Sequence, residues 1–104
     1  MRLPRPFAVA VRGRSMEPVL RDGDWLLVLP VRARAGDVVV ARDPLDTGRL
    51  LVKRASAVGG GLVRLRSESA HAADHEDRGP VAESAILGRA VLRYAPLGRI
   101  GRIR

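Results

Sequence analysis

The chain contains no cysteine. That excludes a disulfide framework, a thiolate nucleophile and any cysteine-based zinc site. Aromatic residues are almost as scarce, with Phe7, Trp25 and Tyr94 the whole set. A protein that binds nucleic acid by stacking on bases needs more exposed rings than this. The core must instead be built from Val, Leu, Ile and Ala. No apolar run approaches the ~20 residues of a membrane-spanning helix. The longest strongly apolar stretches, Trp25 to Val31 and Val38 to Ala41, are far shorter. Residues Met1 to Pro6 carry positive charge with no adequate apolar region behind them, so no secretory signal is expected. These absences predict a cytoplasmic, soluble protein with no integral membrane segment. One further scarcity is of a different kind: among 19 basic residues, Lys53 is the only lysine.

What is present suffices for one folded domain. The 104 residues are 46% hydrophobic, enough for a modest single core but not for two domains. The formal charge is +8, from 19 basic and 11 acidic residues. The arginines are scattered rather than blocked, which reads as a solvated basic surface and not as a nucleic-acid-binding tract.

Taken in order, Phe7 to Arg12 reads as a short strand, and Pro4 and Pro6 before it argue against helix. Gly13 to Pro18 is a turn, and Pro18 to Arg21 suits a single helical turn with proline at its first position. Asp22-Gly23-Asp24 signals another turn. Trp25 to Leu29 is an apolar strand, Arg32 to Asp37 a turn, and Val38 to Ala41 a strand buried on both faces. Asp43 to Gly48 is a loop of turn formers, Leu50 to Val58 a strand, and Gly59-Gly60-Gly61 a tight turn. Leu62 to Arg66 alternates, with Val63 and Leu65 inward. Ser67 to Gly79 is polar and acidic without period, a long loop. Ser84 to Tyr94 is the last strand, bent at Gly88. The expected fold is mostly β, a small coiled sheet or barrel. It forms a single domain over residues 1–95, and residues 96–104 make a basic tail with little to pack.

Two residues in this pattern carry chemistry. Ser15 lies in a turn directly before an apolar run, and serine is a poor nucleophile unless a base sits beside it. Lys53 lies among aliphatics on a strand. Arginine cannot surrender its proton at usable pH, whereas a desolvated lysine can. Arg54, next along the strand, points to the opposite face, though its field also favours a neutral Lys53. Acyl transfer further needs donors for an oxyanion. The Ser15 N–H is the natural first candidate and a group near Gly13 the second, with Gly13, Ser15 and Met16 forming the oxyanion and positioning set. The alternative is an ordinary turn serine and a strand lysine whose stem merely covers apolar surface.

The sequence around both residues resembles that of type I signal peptidases. Gly13, Ser15, Met16, Pro18, Leu20, Gly23, Asp24, Leu26, Leu27 and Val28 match their nucleophile box. Gly36 to Val40 with Pro44 resembles the next box, and Leu51-Val52-Lys53-Arg54 the general-base box. The resemblance covers roughly the first half of the chain. It implies a serine endopeptidase on the coiled-sheet fold shared with the SOS-repressor peptidases, with Ser15 as nucleophile and Lys53 as general base, no metal and no cofactor. Signal peptidases of this type carry N-terminal membrane anchors, and the self-cleaving repressors carry a DNA-binding segment and a cleavable linker; neither is seen before Ser15. The ending Ile86 to Tyr94 with Pro96 looks most like the short maturation proteases of nickel-type superoxide dismutase. That resemblance implies a protein precursor as partner, the dismutase, whose propeptide would be removed to free its nickel-binding N-terminus.

One region departs from the family pattern of Gly/Ser-Asp-Asn, then Ser-x-Asp-Ser-Arg, ahead of Gly-Pro-Val. Gly79-Pro80-Val81 is present and Asp74 matches the family aspartate. Ala72 replaces the serine that would orient the lysine, and Glu76 replaces the arginine. Ser67 or Ser69 is then the expected substitute for the orienting hydroxyl. His71, Asp74 and His75 have a spacing that could hold a metal on a helix, but in this acidic loop they read as solvated. Asp24 and Asp37 each follow a glycine and read as turn or cap residues, and Trp25 as core or rim.

Overall fold

The computed structural model describes residues 5–69 and 79–103. Eight strands form one antiparallel sheet: β1 (Phe7–Ala10), β2 (Trp25–Leu29), β3 (Val38–Asp43), β4 (Asp46–Gly59), β5 (Leu62–Arg66), β6 (Val81–Ala82), β7 (Ile86–Ala95) and β8 (Gly101–Arg102). Their order is β1-β2-β7-β3-β4-β5-β6, with β8 added on β7. The sheet coils without closing, as a mostly β fold of this class requires. β7 pairs with β3 through residues 86–89 and with β8 through residues 92–93, so one long strand serves two neighbours along a single edge.

The central strand explains why Val38 to Ala41 shows no alternation. Val38 and Val40 enter one apolar cluster, with Val11, Met16, Leu20, Leu26, Val28 and Ala90. Val39, between them, enters a second with Ala33, Ala55, Val63 and Val81. Successive strand side chains point to opposite faces, so a strand with a core on each face must be apolar throughout. Gly88 answers a different constraint. A Cβ there would lie 2.3 Å from the Leu29 carbonyl oxygen. Glycine is needed for β2 and β7 to approach, and the β3–β7 register shifts beside it.

Three expectations need correction. Pro18 does not open a helical turn. The chain closes one residue pair earlier through Leu20 N–H to the Met16 carbonyl, 2.9 Å, and Asp24 Oδ2 then takes the Arg21 N–H at 2.8 Å, which turns the chain away. Residues 43–48 are not an open loop. β3 runs on to Asp43 and β4 begins at Asp46, because the two aspartates accept the N–H groups of Leu45 and Gly48 and tighten the hairpin.

The end of the chain, read as a solvated tail with little to pack, is tied to the sheet at β8, Ile103 and Arg99, while Leu97 and Ile100 stay exposed. β8 pairs with β7, Ile103 lies against the first cluster, and Arg99 reaches Asp24 at 3.2 Å. The driving partner is Asp24, only 1% exposed, which also faces Arg93 at 3.4 Å. Arg93 in turn donates to the Arg99 and Val19 carbonyls.

Burial pushes the Asp24 carboxyl up, but the Arg99 hydrogen bond, the Arg21 N–H and the charges of Arg99 and Arg93 outweigh it and leave the group below its ordinary value. A carboxylate depressed in the folded state stabilises fully above its unfolded value of about 3.9. That contribution is lost as pH falls through the folded value. Asp24→Asn is expected to cost about 3 kcal/mol near neutral pH and to flatten the acid limb of the stability curve. Urea unfolding at a series of pH values checks both, and an unchanged acid limb would remove Asp24 from the account.

Candidate active site

Ser15 is presented by a turn that is clamped at its base and anchored beside its tip. At the base, Val11 N–H donates to the Asp24 carbonyl (2.8 Å) and Gly23 N–H to the Val11 carbonyl (2.9 Å), extending the β1–β2 ladder past both strand ends. Gly13 follows at φ +84°, a conformation that residues with a Cβ rarely adopt. Its N–H is committed to Asp22 Oδ1 at 2.7 Å. Met16, next to Ser15, is buried in the first cluster. Full burial of such a side chain is worth roughly 1.5–3 kcal/mol, so the serine is half-exposed on a residue pair whose other member is fixed in the core.

Lys53 comes from β4 and meets Ser15 across 38 residues of sequence. Its Nζ donates to Ser15 Oγ at 2.9 Å and to Ser67 Oγ at 2.9 Å. The structure thus brings Ser15, Lys53 and Ser67 into one line of hydrogen bonds. Ser69 joins through its backbone: the Ser69 and Glu68 N–H groups both donate to the Ser15 carbonyl, at 2.9 and 2.8 Å. Asp74, His71 and His75 lie outside the described residues. Gly13 and Met16 hold the turn as described. Asp24 and Asp37 have local structural partners: Asp37 takes the Arg34 N–H at 2.9 Å and faces Arg89 at 3.5 Å.

Sequence reasoning missed Glu68 and Ser56. Glu68 pairs with Arg54, both largely buried, and so Lys53 and Arg54, on opposite faces of β4, are gripped by consecutive residues of one segment. The reason lies in register. The Gly60-Gly61 turn pairs Gly59 with Leu62, Val58 with Val63 and Ala57 with Arg64. Continued unbroken, that ladder would set Lys53 opposite Glu68. It shifts by one residue at Ser56, so Ala55 pairs with Leu65 and Arg54 with Arg66. One step on, Lys53 faces Ser67. Such bulges redirect side chains in the way seen here. The hairpin was legible from Gly60-Gly61, but a bulge leaves no mark in composition.

The dyad opens onto a cleft of about 480 Å³. Residues 8–12 form one wall and residues 49–53 the other, with Ser15, Met16 and Trp25 at the base and rim. Trp25 is 44% exposed, a rim residue rather than core. Among the described residues, neither wall carries a second ladder: β1 pairs only with β2, and β4 pairs with β5 only from residue 54 onward. Two free strand edges therefore face the cleft. The described residues include no helix long and apolar enough to cross a membrane.

A family model described as Peptidase S24-like matches residues 3–91. No curated protein matches the chain.

Deleting Ser56 removes the unpaired residue, and the ladder is expected to run unbroken with Lys53 still opposite Ser67. As the only lysine, Lys53 gives a single side-chain spin system, and its nuclear Overhauser contacts to Ser67 should survive the deletion. Contacts to Glu68 in their place would show that something other than the ladder sets the pair.

Proposed function

The chain belongs to the Peptidase S24-like family, which suggests serine peptidase activity, and we propose that it is an endopeptidase using Ser15 and Lys53 as a dyad. The 2.9 Å approach of Lys53 Nζ to Ser15 Oγ carries this reading. With the lysine neutral, the same line lets the serine hydroxyl donate to Nζ. Oγ attacks the scissile carbonyl carbon as its proton passes to Nζ. The developing oxyanion is met by backbone N–H donors at the Ser15 turn. Gly13 serves that turn by its conformation, since its own N–H is already engaged by Asp22. The lysine ammonium then protonates the departing amine, and water, deprotonated by Lys53, releases the acyl group. Ser67 acts as a positioning residue that accepts from Nζ and holds it on Ser15. Ser69 supports the turn through its amide, and Asp74 is retained as a further positioning candidate from the family pattern.

The free edges of β1 and β4 suit an extended peptide held by main-chain hydrogen bonds. A precursor protein with an exposed cleavable segment is the corresponding substrate, and a cytoplasmic setting goes with this reading. The resemblance of Ile86 to Pro96 to nickel superoxide dismutase maturation proteases supports that enzyme's precursor as the first substrate to try.

Incubation with the dismutase precursor, followed by intact mass, is the test. The wild type is expected to remove one discrete N-terminal piece. Ser15→Ala and Lys53→Ala should each lower the rate by about a thousandfold or more. Ser67→Ala should lower kcat by about ten- to a hundredfold, with KM little changed, through misplacement of the base. Because the base must be unprotonated, the wild-type rate should rise with pH. Undiminished cleavage by Ser15→Ala would overturn the mechanism. Failure of the wild type on this precursor, with cleavage of another, would overturn only the substrate.

A further inference from the structure

We propose that the cleft beside Ser15 selects peptide segments bearing acidic side chains, through Arg12 and Arg49. This rests on the peptidase reading and adds its substrate class. Among the described residues the cleft walls hold three cations, Arg12, Arg49 and Lys53, and no carboxylate. Lys53 is engaged by Ser15 and Ser67. Arg12 and Arg49 are both exposed, and among the described residues neither makes an ion pair or side-chain hydrogen bond.

Elsewhere the charge is matched in part: among the described residues Arg5, Arg21, Arg32, Arg42, Arg64 and Arg102 also make no ion pair, whereas the remaining described arginines do. Glu17 holds Arg14, Asp37 holds Arg34 and Arg89, Glu68 holds Arg54, and Asp24 holds Arg93 and Arg99. Among the described residues the two cleft arginines have no side-chain partner, and they stand at the place where a second chain would lie. A solvated arginine on a basic surface is ordinary; two on facing walls of the same catalytic cleft, with no acid between them among the described residues, make a positively charged channel. Clefts with low-dielectric walls focus such fields.

The topology sets the spacing. Four successive antiparallel pairings link β1 to β4 through β2, β7 and β3. The two walls therefore run in the same direction, and both reach the dyad at their later residues. Arg12 stands near the dyad, three residues before Ser15. Arg49 stands four residues before Lys53, about 13 Å away at ~3.3 Å per residue. A peptide extended between the walls would bring to Arg49 a side chain about four positions from the scissile bond, on the side that covers β1 and β4. Arg12 acts on side chains closer to the bond. Each partly exposed pair contributes a factor of a few, so two acidic residues give about a tenfold preference at low salt. Screening over ~10 Å at 0.1 M salt erodes it.

The test uses fluorescein-labelled extended peptides of one sequence, with Glu, Gln or Lys scanned at the positions flanking the scissile bond. Binding to Ser15→Ala protein is read by anisotropy at low and high salt. A single well-placed Glu should tighten binding by a factor of a few over Gln, and a peptide with Glu at the two best positions by about tenfold at low salt; the advantage should collapse at high salt. The Arg12→Glu/Arg49→Glu variant, built on Ser15→Ala, should reverse the order and prefer the Lys peptide. Equal binding of Glu and Gln peptides, or a Glu preference that survives the reversal, would overturn the proposal. Wild-type cleavage of the same peptides separates the two readings. Cleavage blind to charge removes this inference and leaves the peptidase. Charge-selective binding with no cleavage of any peptide by the wild type removes the peptidase and leaves the selectivity.

Discussion

The bond from Lys53 Nζ to Ser67 Oγ depends on one residue of β4 being left out of the ladder. β4 and β5 are joined by a two-glycine turn that would, on its own, count Lys53 onto Glu68. The bulge at Ser56 moves the count by one, and two functions separate cleanly as a result. Ser67, a neutral hydroxyl, meets the lysine. Glu68, a carboxylate, meets Arg54 on the other face. Reversed, an acidic partner beside Lys53 would favour its ammonium form, and Arg54 would be largely buried beside a hydroxyl. A one-residue slip always exchanges the faces of a strand. Here it also decides which charge the candidate base sees.

The Ser15 turn is made rigid by the same economy of contacts. Met16 commits its side chain to the first cluster, Gly13 commits its N–H to Asp22, and the Ser15 carbonyl is occupied by two N–H groups from the segment that carries Ser67. The turn and the lysine's partner are thus tied to each other as well as to the core. Asp24 closes the assembly from below. It caps the Arg21 N–H and recruits Arg99 from the end of the chain, so that the last strand folds back onto β7. A buried carboxylate facing two guanidiniums and an N–H is satisfied. With any one partner missing, it would be a liability.

The strands were legible because they follow simple rules. Val63 and Leu65 alternate with arginines, and Val38 to Ala41 is apolar throughout because it has a cluster on each face. The meeting of Ser15 and Lys53 was legible too: a lone lysine among aliphatics in an arginine-rich chain stands out chemically. The long-range charges were not. Nothing local marks Arg99 as the partner of Asp24, since the two are separated by 75 residues, and a run of Arg and Gly reads as solvated until its acid is found. The hairpin at Pro44 and Leu45 was mistaken for a loop because residues that favour turns also favour loops. Only the side-chain capping by Asp43 and Asp46 separates the two outcomes.

The family pattern puts the lysine's hydroxyl partner in a later loop, where this chain has Ala72. In this fold the hydroxyl comes from Ser67, the first residue after β5. β5 is in ladder with β4 up to the pair Arg54–Arg66, so base and partner are set by one hairpin. A side chain next to a paired strand is held more narrowly than one in the middle of a loop. The same reasoning explains why this position is lysine in a chain that otherwise uses arginine. Arg54, Arg93 and Arg99 hold carboxylates with forked donors that never lose their charge. At residue 53 that permanence would be fatal to the proposed chemistry. An arginine there, permanently charged, could not accept the serine's proton.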